Sequence, residues 1–398
     1  MLEADGTRAG TGAGALLHLI RDGRASTRAE LVTLTGLARS TVAQRMEALI
    51  ALRLVVPAGS SASTGGRPPT AFAFNRGAGV VLAADLGATH SRVALTDMAG
   101  DVLSEEREDI AIADGPEPVL GWLERTFDAL LLEDSGSDRA LVRGVGVGVP
   151  GPVEFKTGTP VAPPIMPGWD GYGVGAHLRA IYHAPVLVDN DVNIMALGEH
   201  WSSWRETPYL LFVKMGTGIG CGVVADGRIH RGAQGAAGDI GHIHVPDHDD
   251  VLCRCGNVGC LEAIAGGDAM AAQLRAAGIP AENSRDVVRH VREGRPEAIR
   301  LVRQAGRELG GVLATAVNFF NPGVIVVGGD IADADEHLLA GVREVVYRRS
   351  TALATRSIRI VRSTLDDRAG VIGAAVMVIE DVLAPEAVDL AIAGAGAP

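Results

Sequence analysis

The chain has 398 residues, a length typical of about two or three domains. Hydrophobic residues make up 47% of it, charged residues 21% and aromatic residues 4%, which excludes a disordered polyelectrolyte and predicts a globular protein with a large core. The most apolar long stretch, residues 310–329, contains Asn318, Asn321 and Pro322 and is therefore not expected to span a membrane.

The net charge of −12 is unevenly distributed along the chain. Residues 1–78 contain nine arginines and five acidic residues, a balance of +4, so the remaining residues carry −16. A small basic segment next to an acidic body is typical of proteins in which the basic segment binds the phosphate backbone of nucleic acid.

Three short helices are predicted in the basic segment. Apolar residues recur at helical spacing in the stretches 15–20, 28–35 and 39–51. Ser26 or Thr27 is expected to cap the second helix, and Gly36 lies in the turn before the third. The outward face of the third helix carries side chains that could contact a major groove, namely Arg39, Ser40, Thr41, Gln44 and Arg45. This arrangement predicts a helix-turn-helix.

Two further stretches, 54–56 and 71–74, are predicted to form the strands of a wing. The loop between them places Arg67 next to glycine and proline, where it is suited to a minor groove. Residues 1–77 are therefore interpreted as a winged helix-turn-helix domain that binds DNA. A three-helix dimerisation or linker module with ordinary surface arginines is the alternative.

The acidic body contains two similar hairpins, each with a glycine-rich turn. The strand 80–84 leads into the first turn, and the strand 209–215 leads into the second. Two pairs of residues, Gly87 with Gly216 and Asp97 with Asp226, are both 129 residues apart. This partial internal repeat predicts a duplicated fold.

The two turns are candidates for holding the phosphates of a nucleotide between the halves of the duplicated fold. Glycine lets the backbone approach a phosphate closely, and Asp85 could hold a magnesium ion through water. The candidate nucleotide residues are Asp85, Gly87, Thr89, Gly216, Thr217 and Gly218, together with Gly328 and Gly329 against the adenosine. Two glycine-rich hairpins without a ligand are the alternative.

Between the hairpins, the predicted strand 185–188 delivers Asn190 and Asp191 to its carboxyl end, where open α/β sheets place their sites. The Asp191 carboxylate could accept the proton of a sugar hydroxyl that attacks a γ-phosphate, and Asn190 could bind neighbouring hydroxyls. The alternative for Asp191 is an N-cap of the helix that follows.

Three of the four cysteines form a compact cluster, Cys253, Cys255 and Cys260. With His242 they would complete a tetrahedral zinc shell, and because four protein ligands leave no position for water, the zinc is expected to be structural. His244 and His248 are competing candidates for the fourth ligand. A reduced cluster without metal is the alternative.

Together these motifs resemble the ROK family of repressors, open reading frames and sugar kinases. The resemblance runs from about residue 11 to 383 and depends on six segments: 85–89, 148–152, 190–191, 216–218, the Cys253–Glu262 run, and 321–322 before Gly328 and Gly329. It implies an α/β fold with an actin-like, ribonuclease-H-like duplicated ATPase core, here preceded by the all-α/winged helix-turn-helix domain.

The resemblance also implies roles for individual residues. Asp191 corresponds to the catalytic base of the kinases, and a hexose would be surrounded by Asn190, Asp191, Asp239, His242 and Glu262. Asp239 stands where the family usually has glutamate, one methylene longer. The sugar loop reads Pro167-Gly168-Trp169, where the kinases usually have asparagine before Gly-Trp.

The expected domains are the head, residues 1–77, a first lobe, residues 78–190 completed by about 378–398, and a second lobe with the zinc loop, residues 191–377. The winged head favours a sugar-responsive transcriptional regulator of carbohydrate genes. It would be cytoplasmic and nucleoid-associated, a homodimer or homotetramer that binds operator DNA and a sugar or sugar phosphate. The alternative is a sugar kinase with an accessory domain, and only that function requires Mg-ATP. We expect little or no kinase turnover.

Overall fold

The computed structural model describes residues 12–60, 70–135, 141–334 and 336–395. Arg67 and the tip of the predicted wing lie outside these residues. No helix within the described ranges combines the length and the apolar character that a membrane crossing requires.

The head has the predicted order of helices and strands. Its elements are α1 (Ala13–Arg21), α2 (Arg28–Thr35), α3 (Arg39–Ala51), β1 (Val55–Ser60) and β2 (Thr70–Phe74). Helix α2 begins with a capping box: the Thr27 hydroxyl accepts the Glu30 N–H at 3.2 Å, and the Glu30 carboxylate accepts the Thr27 N–H at 3.0 Å. Gly36 ends α2 with φ +70°, and β1 pairs with β2 antiparallel. The helix-turn-helix and the two wing strands are confirmed.

The body consists of two mixed sheets and the helices around them. Its strands in chain order are β3 (Val80–Leu86), β4 (Ser91–Asp97), β5 (Val102–Glu108), β6 (Val142–Val149), β7 (Val153–Glu154), β8 (Thr159–Pro160), β9 (Val186–Asn190), β10 (Leu210–Met215), β11 (Ile219–Ala225), β12 (Arg228–Ile229), β13 (Val324–Gly328) and β14 (Arg359–Arg362). Its helices are α4 (Pro116–Ser135), α5 (Val174–Tyr182), α6 (Asp191–Ser203), α7 (Leu261–Ala265), α8 (Gly267–Ala276), α9 (Ser284–Arg292), α10 (Pro296–Phe320), α11 (Glu336–Arg349), α12 (Ala352–Thr355), α13 (Ala369–Val382) and α14 (Pro385–Ala395).

The two sheets repeat one topology. The first runs in the order β5-β4-β3-β6-β9 and the second in the order β12-β11-β10-β13-β14. In each, the central strand pairs antiparallel with the next strand of its hairpin and parallel with the strand on its other side. The hairpins that the 129-residue repeat predicts, β3–β4 and β10–β11, therefore occupy equivalent positions, and the duplicated α/β fold is confirmed.

Helices α6 and α13 cross at very short range. A Cβ atom added to Gly198 would lie 2.1 Å from the Ala369 carbonyl oxygen, and one added to Gly373 would lie 1.7 Å from the Ile194 carbonyl oxygen. Helix α13 also packs on β3 and β6 of the first sheet. The predicted boundary after residue 377 thus lies inside α13. The division into domains otherwise stays a prediction.

The head and the body share one hydrophobic cluster, in which Leu16 and Leu17 of α1 join Val378 of α13 and Val388 of α14. The backbone N–H of Gly14 donates to the Asp389 carboxylate at 2.9 Å. Arg21 of α1 forms an ion pair with Glu380 of α13. Apolar burial and polar contacts together dock the head on the body.

The crossing of α6 and α13 leads to a stability prediction. Gly198→Ala is expected to cost about 1–3 kcal/mol, because its Cβ would meet backbone atoms that have little room to move. Gly121→Ala in α4 is the matched control, since the nearest atom is the end of the Arg125 side chain at 3.5 Å. Thermal unfolding should show the control unchanged or stabilised. Equal melting temperatures for the two variants would contradict the assigned crossing.

Candidate functional site

A cleft of about 1040 Å³ lies at the carboxyl ends of the central strands of both sheets. It is lined by every residue that the sequence predicts for the nucleotide and the sugar: Asp85, Gly87, Thr89, Asn190, Asp191, Gly216, Thr217, Gly218, Asp239, His242, Glu262, Gly328 and Gly329. The structure brings these residues together, and their individual roles stay predictions.

Each glycine turn is closed by a backbone hydrogen bond, which spans three residues in the first turn and two in the second. The Gly87 N–H donates to the His90 carbonyl at 3.0 Å, and the Gly216 N–H donates to the Gly218 carbonyl at 3.0 Å. A Cβ at position 218 would lie 2.2 Å from the Glu262 carboxylate, so a larger residue there would displace that side chain. That carboxylate accepts the Ile219 N–H at 3.0 Å, which fixes Glu262 at the edge of the cleft.

Asn190 is the N-cap of α6, and Asp191 is the first helical residue. The Asn190 side-chain oxygen accepts the N–H groups of Val192 and Asn193, and its amide donates to the Gly151 carbonyl at 3.0 Å. The alternative that Asp191 caps this helix is therefore wrong. Asn190 is held by the fold and is half-buried, whereas Asp191 is buried.

Lys214 contacts the predicted base directly, a pairing that the sequence analysis missed. Its ammonium group donates to Asp191 Oδ2 at 2.5 Å, and Asp191 Oδ1 accepts the Val192 N–H at 2.9 Å. Burial raises the pKa of the neighbouring Asp85 to about 7, with the charge of Lys214 acting in the opposite direction. The repeat offset of 129 residues applied to Asp85 leads to Lys214 and could have found it.

A second ion pair that the sequence did not predict joins the two lobes next to Asp191. Arg231 contacts the buried Asp189 carboxylate at 2.7 Å, and Asn193 donates to the same carboxylate at 2.9 Å. The Arg231 guanidinium also stacks on Phe155 with 3.7 Å to the ring centroid. The Asp189 carboxylate next to Asp191 is therefore held by two partners, and no sequence motif identified the arginine.

The predicted zinc ligands His242, Cys253, Cys255 and Cys260 converge, with all four ligand atoms within 4.8 Å of one another. The Cys255 and Cys260 sulfurs are 3.7 Å apart, and His242 Nδ1 is 3.6 Å from the Cys253 sulfur. A tetrahedral zinc with metal–sulfur bonds of about 2.3 Å separates its sulfur ligands by about 3.8 Å. The donor set and its spacing therefore fit structural zinc. Glycines at 256 and 259, with φ +91° and +69°, allow the turns between the cysteines.

The competing histidines have other partners. His244 Nε2 contacts the Asp249 carboxylate at 2.7 Å, and His248 Nε2 lies 4.0 Å from Glu308. His242 turns Nδ1 to the cysteines and leaves Nε2 4.0 Å from Asp239. One imidazole could therefore serve a metal with one nitrogen and a cleft ligand with the other.

On the head, α3 presents Arg39, Ser40 and Gln44 to solvent. Thr41 and Arg45 are half-buried, and one terminal nitrogen of Arg45 is fully buried without a hydrogen-bond partner. The exposed part of the predicted DNA-binding face is thus centred on the first turn of α3 and on Gln44.

Residues 81–381 match the sequence profile described as the ROK family. The chain belongs to the ROK family. The xylose repressor of Caldicellulosiruptor bescii is 30% identical over 382 residues, which cover 92% of this chain and 95% of the repressor. The similarity to this repressor therefore extends beyond residues 81–381 and into the head.

Two solved structures match different shares of this chain. A ROK family transcriptional regulator, described as a homologue of the Escherichia coli MLC protein, is 26% identical with a TM-score of 0.81, covering 96% of this chain and 98% of its own. A ROK hexokinase from Thermus thermophilus is 32% identical with a TM-score of 0.62, covering 76% of this chain and 99% of its own. The hexokinase thus matches a smaller part of this chain than the regulator does.

The thiol and imidazole cluster leads to a metal prediction. Purified protein should contain about one zinc per chain, and Cys260→Ser should lose it, because three ligands hold zinc less firmly than four. Cys221→Ala is the matched control, since this buried cysteine of β11 is not part of the cluster. Elemental analysis decides the matter, and zinc retained at full occupancy in Cys260→Ser would refute the ligand set.

Proposed function

We propose that the protein is a sugar-responsive, DNA-binding transcriptional regulator that represses carbohydrate genes. The observation that carries the proposal is the length of the similarity. The similarity to the ROK regulator covers 96% of the chain and that to the xylose repressor covers 92%, so both extend into the winged head. The similarity to the hexokinase covers 76% of the chain. A winged helix-turn-helix docked on a sugar-kinase-like core is suited to reading DNA in response to a small ligand.

The head would bind operator DNA through α3 in the major groove. Arg39 and Ser40 lie at the start of the helix, where they can contact phosphates, and Gln44 lies one turn further, where it can reach a base edge. A homodimer or homotetramer would bring two heads to half-sites about one helical turn apart or a multiple of that.

The cleft would bind the effector, a sugar or sugar phosphate. Carboxylates of Asp191, Asp239 and Glu262 and the free nitrogen of His242 line it, and such groups bind the hydroxyls of a polyhydroxylated ligand. The name of the Caldicellulosiruptor bescii relative makes xylose the first sugar to test. Zinc would hold the loop that carries Glu262.

Helix α6 offers a route from the cleft to the head. It begins at Asp191 and reaches Trp201 about 15 Å away at 1.5 Å per residue. Trp201 stacks with Arg205 at 3.3 Å and with Arg21 of the head at 5.2 Å to the ring centroid. A ligand that favours one position of α6 would therefore favour one orientation of the head.

The second candidate function is ATP-dependent phosphorylation of a sugar, favoured by the two glycine turns and Asp191 in one cleft. In that case Mg-ATP would be the cofactor and Asp191 the catalytic base. The head would then be accessory. Turnover by the wild-type protein separates the two candidates.

The first functional prediction concerns DNA reading. Gln44→Ala or Arg45→Ala should relax base preference by about 1–3 kcal/mol, because α3 reads base edges, whereas Arg67→Ala should weaken binding more evenly across sequences. Arg24→Ala, an exposed arginine in the turn before α2, is the control for loss of charge. Selection of bound DNA from a random library measures both effects. Unchanged affinity and preference in all three variants would refute the assignment of the head.

The second prediction concerns the effector. Asp191→Asn should weaken sugar binding at least about tenfold, because a charged hydrogen-bond acceptor becomes neutral, while ligand-free operator binding is retained. Asp226→Asn, in the turn after β11, is the matched control outside the cleft. Calorimetry and gel-shift titrations with xylose, hexoses and amino sugars measure the two affinities. Loss of operator binding without sugar would show that Asp191 supports the fold instead.

The third prediction concerns catalysis. Wild-type protein with Mg-ATP should phosphorylate none of these sugars at the rate of an ordinary enzyme, on the order of 1–1,000 per second. A coupled assay for ADP release measures turnover. Robust turnover that disappears in Asp191→Asn would establish the kinase instead of the regulator.

A further inference from the structure

Lys214 occupies a position that the duplicated fold relates to Asp85. Each residue precedes its glycine, Gly216 or Gly87, by two positions, and the two residues are 129 apart. Each also lies near the end of the central strand of its sheet, β10 or β3. The internal repeat therefore has an acidic residue in one lobe and a cationic residue at the equivalent position of the other lobe.

The choice of lysine is specific to this position. Of the 36 lysines and arginines in the chain, only Lys156 and Lys214 are lysines. Arginine is thus the usual cation of this protein. An ammonium group is a compact point charge with three donors, whereas a guanidinium is a wide planar fork, so the site uses the cation that most nearly has the size of a bare ion.

The Lys214 ammonium lies among three carboxylates. It donates to Asp191 Oδ2, and it interacts electrostatically with Asp85 and Asp330. Asp330 also accepts the Ser284 hydroxyl at 2.6 Å. The Asp85 carboxylate has one oxygen that is fully buried and has no hydrogen-bond partner, so the charge of Lys214 is its principal compensation. These charges make Lys214 the centre of the acidic cluster.

A nucleotide-bound magnesium ion would need this same cluster. Mg²⁺ binds carboxylates and waters in octahedral geometry, and a fixed positive charge that contacts Asp191 and interacts electrostatically with Asp85 and Asp330 repels a second cation. The Lys214 side chain is 25% exposed, and the Asp191 side chain is 5% exposed. The ammonium thus reaches the cleft while its acidic partner is covered. The residues present do not fit a magnesium ion beside Asp85.

We propose that the Lys214 ammonium is the resident cation of the cleft in place of a nucleotide-bound divalent metal, and that the cleft therefore binds its polyhydroxylated ligand reversibly. This inference rests on the proposed function and deepens it. The ion pair holds Asp191 as an acceptor for a ligand hydroxyl. It also explains physically how a cleft that retains both glycine turns serves sensing without phosphoryl transfer.

The test compares Mn²⁺ binding by the full-length zinc-loaded chain with and without this charge. Lys214→Met removes the ammonium and keeps a side chain of similar length. Lys214→Asp places an acidic residue at position 214 as well as at the equivalent position 85. Lys156→Met removes the other lysine, which is exposed, and is the control. Free Mn²⁺ is followed by electron paramagnetic resonance, and binding of Mg-ATP is followed by calorimetry. Lys214→Arg provides a charge-retaining variant that must behave like the wild type towards Mn²⁺.

Lys214→Asp should bind Mn²⁺ at least tenfold more tightly than the wild type, with Lys214→Met between them and Lys156→Met unchanged. A difference of less than threefold between wild type and Lys214→Asp, in folded proteins with equal circular dichroism, would overturn the inference. Sugar-dependent release of operator in magnesium-free buffer tests the proposed function separately. A wild-type protein that ignores operator DNA defeats that function, whereas the Mn²⁺ comparison still decides the role of Lys214.

Discussion

The crossing of α6 and α13 is the contact on which the rest of the structure depends. Because glycines at 198 and 373 let two backbones approach without side chains between them, the helices are fixed relative to each other and to the first sheet. Helix α6 carries the cleft residues at its first turn, and α13 leads to the segment that packs on the head. The positions of the cleft residues and of the head are therefore both set by this rigid pair of helices.

Charge is distributed along this pair in an ordered way. At the start of α6, Lys214 and Arg231 of the second lobe bind Asp191 and Asp189. Near its end, the fully buried Glu199 accepts the Ser363 hydroxyl, which lies on the chain returning from the second lobe. Burial raises the pKa of Glu199. These polar contacts add to an apolar cluster in which Val192 and Met195 of α6 pack against Phe212 of the second sheet.

Much of the fold was predictable because it is encoded locally. Apolar residues at helical spacing and the capping residue Thr27 predicted the helices of the head, and the 129-residue offset predicted two equivalent hairpins. The cluster of His242 with three cysteines followed from a short run with one distant histidine. Lys214 and Arg231 were missed because their roles depend on partners in other elements, and the N-cap of α6 is Asn190 instead of Asp191. The contact of Gly198 with α13 was equally hidden, since a glycine within a helical pattern does not reveal its neighbour.

The docking of α1 against α14 has a consequence for how the chain is made. The backbone of Gly14 and the carboxylate of Asp389 are 375 residues apart in sequence. At about 5–20 residues per second, a ribosome would deliver the second partner roughly 20–75 seconds after the first. During that interval the apolar face of α1 has no α14 to cover it. The packing of the head is therefore complete only after nearly the whole body has been synthesised. A chain interrupted late in synthesis would expose the apolar face of α1.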